Sequence, residues 1–273
     1  MTVGEAVRAA ATRLAATSDT ARLDAELLMA HALGLARSEM LLKAMREPAP
    51  TSFSAMVDRR AAHEPVAHIT GNTEFYGLSL AVTPATLIPR PDSETLVNAA
   101  LEQAADAGRA LDCGTGSGAL LLAVLAHREG WDGVGVDASP AALAVASANA
   151  AALGLAPRSR WLERDWHAPG WADDLGRFDL ILANPPYVEA DAALDPQVRD
   201  WEPAGALFAG PQGLDDYCAL IPQLGKLLVP GGVAIVEIGA TQAEAVGAIA
   251  AGAGFAAELR CDLAGRPRVL LLR

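Results

Sequence analysis

Four consecutive residues, Asn184-Pro185-Pro186-Tyr187, bring together groups suited to one kind of chemistry, the alkylation of a planar NH2 group. The lone pair of such a nitrogen is delocalised and weakly nucleophilic. Catalysis therefore has to hold the group and accommodate the positive charge that develops as it attacks a methyl. That calls for hydrogen-bond acceptors. The Asn184 side-chain oxygen and the Pro185 carbonyl can each accept one N–H, turning the lone pair toward the methyl donor, while Tyr187 covers the planar substrate. Pro185 and Pro186 have no backbone N–H to oppose the charge. Orientation of this kind supplies up to about 7–11 kcal/mol in favourable intramolecular analogues, so no strong base is required. The sequence offers no serine–histidine–acid pattern and no paired carboxylates; His31, His63, His68, His127 and His167 are scattered and read as surface or core residues.

A second constellation, Asp112-Cys113-Gly114-Thr115-Gly116-Ser117-Gly118, follows a short apolar run and precedes a helical one. Ligands bind at such turns in open α/β sheets because the loops at strand ends leave a crevice, and glycines let backbone approach the ligand. Gly114, Gly116 and Ala119 also satisfy the dinucleotide fingerprint, and Asp137, at the end of the next strand, is placed to hold a ribose hydroxyl in either ligand class. Charge separates the two. A dinucleotide brings a pyrophosphate to the turn, whereas S-adenosylmethionine brings a sulfonium and an ammonium, which Asp112 suits better. Asp165 and Trp166 end a third strand, where a carboxylate can bond an adenine amino group and an indole can lie against the purine face. An Asn-Pro step also marks ordinary turns, and a solvated acid beside a core tryptophan is commonplace, so these features gain weight only together.

The elements that must position these groups read as an α/β domain. Short apolar strands at Arg109–Asp112, Gly133–Asp137, Ser159–Glu163, Phe178–Ala183, Gly232–Ile238, Ala256–Cys261 and Arg268–Leu272 alternate with helices near Ala119–Arg128, Pro140–Leu153, Asp215–Leu228 and Thr241–Ala251. This is the pattern of a parallel sheet covered on both faces. Too little chain separates the last two strands for a crossover helix, so they should pair antiparallel. The corner and the glycine loop then share one edge of the sheet. From Val3 to about Arg60, apolar residues recur at helical spacing, broken at Thr17-Ser18-Asp19 and Pro48-Ala49-Pro50, and Thr73–Val82 reads as a short hairpin. The expected domains are residues 1–82, helical with a hairpin linker, and residues 83–273.

Composition bounds the partners. The chain of 273 residues is 52% hydrophobic with a formal net charge of −12, which weighs against affinity built on neutralising phosphates and so against nucleic acid as the direct substrate. Charged residues interrupt every apolar run well short of a membrane span. Three distant cysteines without Cys-x-x-Cys spacing offer no metal set and fit a reducing cytosol. Met1–Leu23 is Arg-bearing but reads as an Ala-rich first helix rather than a leader.

Taken together, these residues resemble the HemK/PrmC family, the methyltransferases of the release-factor glutamine, over nearly the whole chain. The resemblance rests on Glu64-Pro65-Val66-Ala67-His68-Ile69-Thr70-Gly71, Glu74-Phe75-Tyr76, Leu87-Ile88-Pro89-Arg90-Pro91-Asp92-Ser93-Glu94, the glycine loop and Asn184-Pro185-Pro186-Tyr187. It implies a class I, Rossmann-like, seven-stranded methyltransferase domain that binds S-adenosylmethionine and releases S-adenosylhomocysteine. It also implies a small helical N-terminal domain that helps grip class I peptide chain release factors, and as substrate the glutamine of their Gly-Gly-Gln loop. By the same resemblance Gly114, Thr115, Gly116, Ser117, Gly118, Asp137, Trp166 and Asn184 touch the cofactor, and Asn184, Pro185, Pro186 and Tyr187 hold the glutamine amide. Cys113 stands where an aliphatic residue is more common and Ala183 where serine is common; neither change removes a required group. Arg90 reads equally as a residue near the site and as a surface support of the hinge. Three other readings stand beside this one. The corner serves an exocyclic amine of RNA or DNA equally well, the glycine loop alone admits a dinucleotide-dependent oxidoreductase, and the fold alone admits a binding module for a translation partner.

Overall fold

The computed structural model describes all 273 residues, which form two compact units, Met1–Asn72 with Leu194–Trp201 and Thr73–Ala193 with Glu202–Arg273. The first unit is helical: α1 (Val3–Leu14), α2 (Ala21–Leu33), α3 (Arg37–Glu39) running into a π-helical turn at Met40–Ala44, α4 (Ser52–Ala61) and α5 (Val66–Thr70). A capping box starts α1, where the Thr2 hydroxyl accepts from Glu5 N and the Glu5 carboxylate from Thr2 N, satisfying two donors that the helix itself cannot. Val3, Val7, Leu14, Leu28, Met29 and Met40 are fully buried at its centre. So is an ion pair. Arg60 Nε donates to Asp24 Oδ2 at 2.7 Å, and Arg60 Nη2 donates to Gln197 Oε1 at 3.1 Å; Gln197 lies in α9 (Pro196–Arg199), in the segment that returns to this unit.

The second unit opens with a hairpin, β1 (Asn72–Phe75) and β2 (Leu78–Ala81), turned at Tyr76 and Gly77 with φ of 51° and 74°, the paired positive values that a two-residue hairpin turn demands. The remaining elements are α6 (Glu94–Gln103), β3 (Ala107–Cys113), α7 (Ala119–His127), β4 (Gly130–Asp137), α8 (Pro140–Ala152), β5 (Ser159–Glu163), β6 (Phe178–Ala183), α10 (Asp215–Leu224), β7 (Leu228–Glu237), α11 (Ala243–Gly252), β8 (Ala257–Cys261) and β9 (Pro267–Leu272). The sheet runs β5-β4-β3-β6-β7-β9-β8, with β9 antiparallel to both its neighbours. Alternate residues enter opposite faces. Leu180, Leu182 and Ile235 pack with α6 and α7, while Ile181, Ala183 and Val236 pack with α10 and α11.

The predicted parallel sheet, its covering helices and the antiparallel close are all present. The junction is not where the sequence placed it. The units divide at Thr73 rather than after Val82, because Phe75 and Leu80 of the hairpin are buried in the core of the sheet domain. Helix α10 ends at Leu224, short of the expected Leu228, and β7 begins at Leu228. Helix α6, which the sequence reading omitted, covers one face with Leu96 and Val97.

Candidate active site

The strand order reverses between β3 and β6, the place where an open α/β sheet leaves a crevice at its carboxyl edge. Cys113 pairs with Ala183 on one side and with Val136 on the other, so Gly114, Asp137 and Asn184 all leave the sheet at one level. They open on a cleft of about 560 Å³, the size of small-molecule sites.

The glycine loop is held from several sides. Gly114, Gly116 and Gly118 have φ of 71°, 55° and 82°, a region that side chains other than glycine rarely adopt. A Cβ on Gly114 would stand 3.0 Å from the Trp166 ring. The Asp137 carboxylate accepts from Gly116 N and from Ser139 N, both at 2.9 Å. Asn149, fully enclosed on α8, donates to Ser117 O at 2.9 Å and to Ala81 O at 3.0 Å, joining the loop to the hairpin. Asp112 lies beneath the loop, away from the cleft wall, and accepts the Thr115 hydroxyl at 2.6 Å. It is fully buried, so the charge preference read for it from the sequence falls instead to the carboxylates that line the cleft.

Of the predicted cofactor residues, Gly114, Thr115, Gly116, Ser117, Asp137, Trp166 and Asn184 line the cleft. Gly118 turns away and packs toward Leu122, Trp161 and Ala146. Trp166 is fixed by Asp216, whose Oδ1 accepts its Nε1–H at 2.9 Å and lies 3.0 Å from His167 Nε2. Asp165 also lines the wall. At the corner, Asn184 and Pro186 face the cleft; Pro185 is buried, and the Tyr187 ring packs toward the α10–α11 face rather than on the cleft wall. Arg90 does reach the cleft, where its guanidinium is bound by the buried Glu202.

This lining fits S-adenosylmethionine. Asp137, Asp165 and Asp216 are on the wall, and the only Lys or Arg there is Arg90, already paired with Glu202. A pyrophosphate would find no free cation; a sulfonium and an ammonium find carboxylates.

Residues 91–199 match the methyltransferase small domain and residues 5–71 the PrmC N-terminal domain. The release factor glutamine methyltransferase of Cereibacter sphaeroides is 43% identical over 281 residues, covering 100% of this chain and 99% of that one. This chain belongs to the release factor glutamine methyltransferase family. The family member of Rhodospirillum rubrum is 45% identical, covering 92% of this chain and 78% of its own. Among solved structures, the ribosomal protein L11 methylase of Lactobacillus delbrueckii subsp. bulgaricus superposes with a TM-score of 0.50 at 25% identity, covering 70% of this chain and 82% of that one. The class I methyltransferase fold thus joins a small helical N-terminal domain, as the resemblance implied. No helix is long and apolar enough to cross a membrane.

The sequence reading of this family member passed over Asp216, Asn149, Ser93 and Glu237. Ser93 sits in the Pro-rich motif but had no role read for it there, and the other three lie in no motif; only folding brings them to the loop and the corner. Two buried carboxyls stand out. Burial pushes Asp112 up to about 7 despite the Thr115 hydroxyl, and burial likewise pushes Glu237 up to about 7 against the Ser93 hydroxyl and Arg268. A carboxyl raised in the folded state stays protonated there while its unfolded counterpart ionises. Each therefore costs stability as pH rises from its unfolded value, 3.8 for Asp112 and 4.5 for Glu237, to about 7. The slope is at most about 1.4 kcal/mol per pH unit for each group. Urea unfolding of the ligand-free protein should therefore show stability falling between about pH 5 and about pH 7. Asp112→Asn should flatten that fall, and an unchanged slope in this variant would refute the assignment.

Proposed function

We propose that the corner at the end of β6 holds the glutamine side-chain amide of a class I release factor's Gly-Gly-Gln loop for N-methylation. The enzyme is an S-adenosylmethionine-dependent protein-glutamine N-methyltransferase. The observation supporting this role for the corner is that Asn184 and Pro186 open into the same cleft as Gly114, Asp137 and Trp166. The cofactor supplies an electrophilic methyl on a sulfonium. Asn184 Oδ1 and the Pro185 carbonyl accept the two N–H groups of the glutamine amide, which presents the lone pair along the remaining direction. Pro185 and Pro186 add no backbone N–H that would donate toward the developing positive charge. Tyr187 braces the corner from the α10–α11 side. Asp137 would hold the ribose hydroxyls of the bound cofactor, and Trp166, fixed by Asp216, would flank its purine.

The helical unit is the part assigned to gripping the factor. Leu23 and Leu27, one turn apart on α2, and Leu42 are 41%, 36% and 83% exposed, apolar side chains open to a protein partner. The cytosol, where termination runs, is the compartment this implies. The test is mass spectrometry of an unmethylated release factor incubated with the enzyme and S-adenosylmethionine. A single methyl on the Gly-Gly-Gln glutamine is the expected product. An unmodified factor in the presence of bound cofactor would end this reading and turn attention to exocyclic amines of RNA or DNA.

A further inference from the structure

Beside the corner sits a carboxyl that belongs to no motif. Glu237 ends β7, and the register Ala183 to Val236 sets it next to Asn184 on the neighbouring strand. It is 1% exposed and does not line the cleft, whereas Asn184 and Ser93 do. Its carboxyl is held beside the Ser93 hydroxyl and the Asn184 amide, and both favour its charged form. Ser93 Oγ is itself 3.5 Å from Asn184 Nδ2. Glu237 Oε2 has no hydrogen-bond partner, an arrangement that normally costs stability and calls for a reason.

We infer that Glu237 is a positioning residue that fixes which end of the Asn184 amide faces the cleft. A side-chain amide can present its oxygen or its NH2, and its neighbours choose between them. A carboxylate accepts only, so it takes the Asn184 N–H and leaves Oδ1 for the substrate. A protonated Glu237 offers a donor instead. It can bind Oδ1 and release the NH2 toward the glutamine, where a donor opposes the charge that methyl transfer creates. The inference rests on the role proposed above for Asn184.

The groups facing Glu237 shape when this happens. Arg268 of β9 favours the carboxylate, and Asp92, in the turn before α6, disfavours it; burial outweighs both and places the change at about 7. Tyr187 beyond β6 and Tyr217 on α10 also feel its charge, but burial raises both phenols from 10.0, so they stay neutral through this range. Asp112 also titrates at about 7, so the wild-type profile alone does not isolate Glu237; comparison with Glu237→Gln does.

Two measurements test the inference. In the first, Glu237→Gln should keep its affinity for S-adenosylhomocysteine within about threefold while kcat falls roughly 10- to 100-fold, the effect of one misdirected buried hydrogen bond. The part of the activity rise around neutral pH that belongs to Glu237 should be lost. A variant with wild-type kcat and pH profile would overturn the inference. In the second, the protein is labelled with 15N-asparagine, and the Asn184 side-chain resonances, identified by their loss in Asn184→Ala, are followed from about pH 5.5 to about pH 8.5. They should shift with a midpoint near 7 in the wild type and stay put in Glu237→Gln. Resonances that do not respond in the wild type would equally overturn it. Should the wild type leave the release factor unmethylated, the proposed substrate fails. The resonances, read without substrate, still decide for or against Glu237.

Discussion

Asn184→Ala should reduce turnover of release factor methylation by roughly 10²–10³-fold, the usual cost of removing one preorganised hydrogen-bonding group from a reacting centre. The side chain contributes an oxygen at the mouth of the corner but little to the core, since it is only partly buried. Pro185 and Pro186 keep the backbone rigid without it. The cofactor wall is also left standing, with Asp137 still bonded to Gly116 and Trp166 to Asp216. Affinity for S-adenosylhomocysteine, measured by calorimetry, should therefore fall by about tenfold at most. A large loss of kcat with small changes in binding marks an interaction made in the transition state. Equal losses in both would make Asn184 chiefly a cofactor ligand and leave the glutamine amide without its first acceptor.

Asp24→Ala should destabilise the helical unit by about 3–5 kcal/mol, the penalty for stranding one member of a buried ion pair. Arg60 and Asp24 have side chains 4% and 7% exposed. Asp24 also accepts the Ser18 hydroxyl at 2.7 Å and the Thr20 hydroxyl at 2.8 Å, so truncation leaves three donors without their acceptor, one of them a guanidinium. Hydrogen exchange should report the loss as faster exchange across α1, α2 and α4. Protection in β3, β4 and β6, which belong to the other unit, should change little. A variant whose helices exchange at the wild-type rate would show that the pair is solvated in solution and contributes little.

The sheet was legible because its central strands are buried on both faces and read as apolar runs, Leu180-Ile181-Leu182-Ala183 being the clearest. The glycine loop and the corner were legible for another reason. Each is a contiguous segment whose chemistry depends on backbone conformation, so neighbours in sequence are also neighbours in function. Groups assembled from distant parts of the chain were not. Asp216 meets Trp166 across 50 positions, Asn149 meets Ala81 across 68, and Glu202 meets Arg90 across 112. No local pattern marks such a residue, since an acid on an amphipathic helix looks the same whether it faces water or an indole. Helix α6 was missed because the Pro-rich segment before it drew the eye to a linker. The hairpin was assigned to the wrong unit because alternation shows that one face is buried, not what buries it.

Residues 194–201 have a bearing on how this chain is made. They complete the first compact unit, and Gln197 supplies the acceptor for Arg60 Nη2, yet they follow β3, β4, β5 and β6 in sequence. Translation delivers a chain from its amino terminus, and most domains can close as soon as they emerge. Here the first unit to leave the ribosome gains its last segment only after the hairpin and four sheet strands of the second have been synthesised. A nascent chain interrupted before residue 194 therefore holds five helices around an arginine still missing one partner, and a fragment ending at Asn72 inherits the same gap however it is produced.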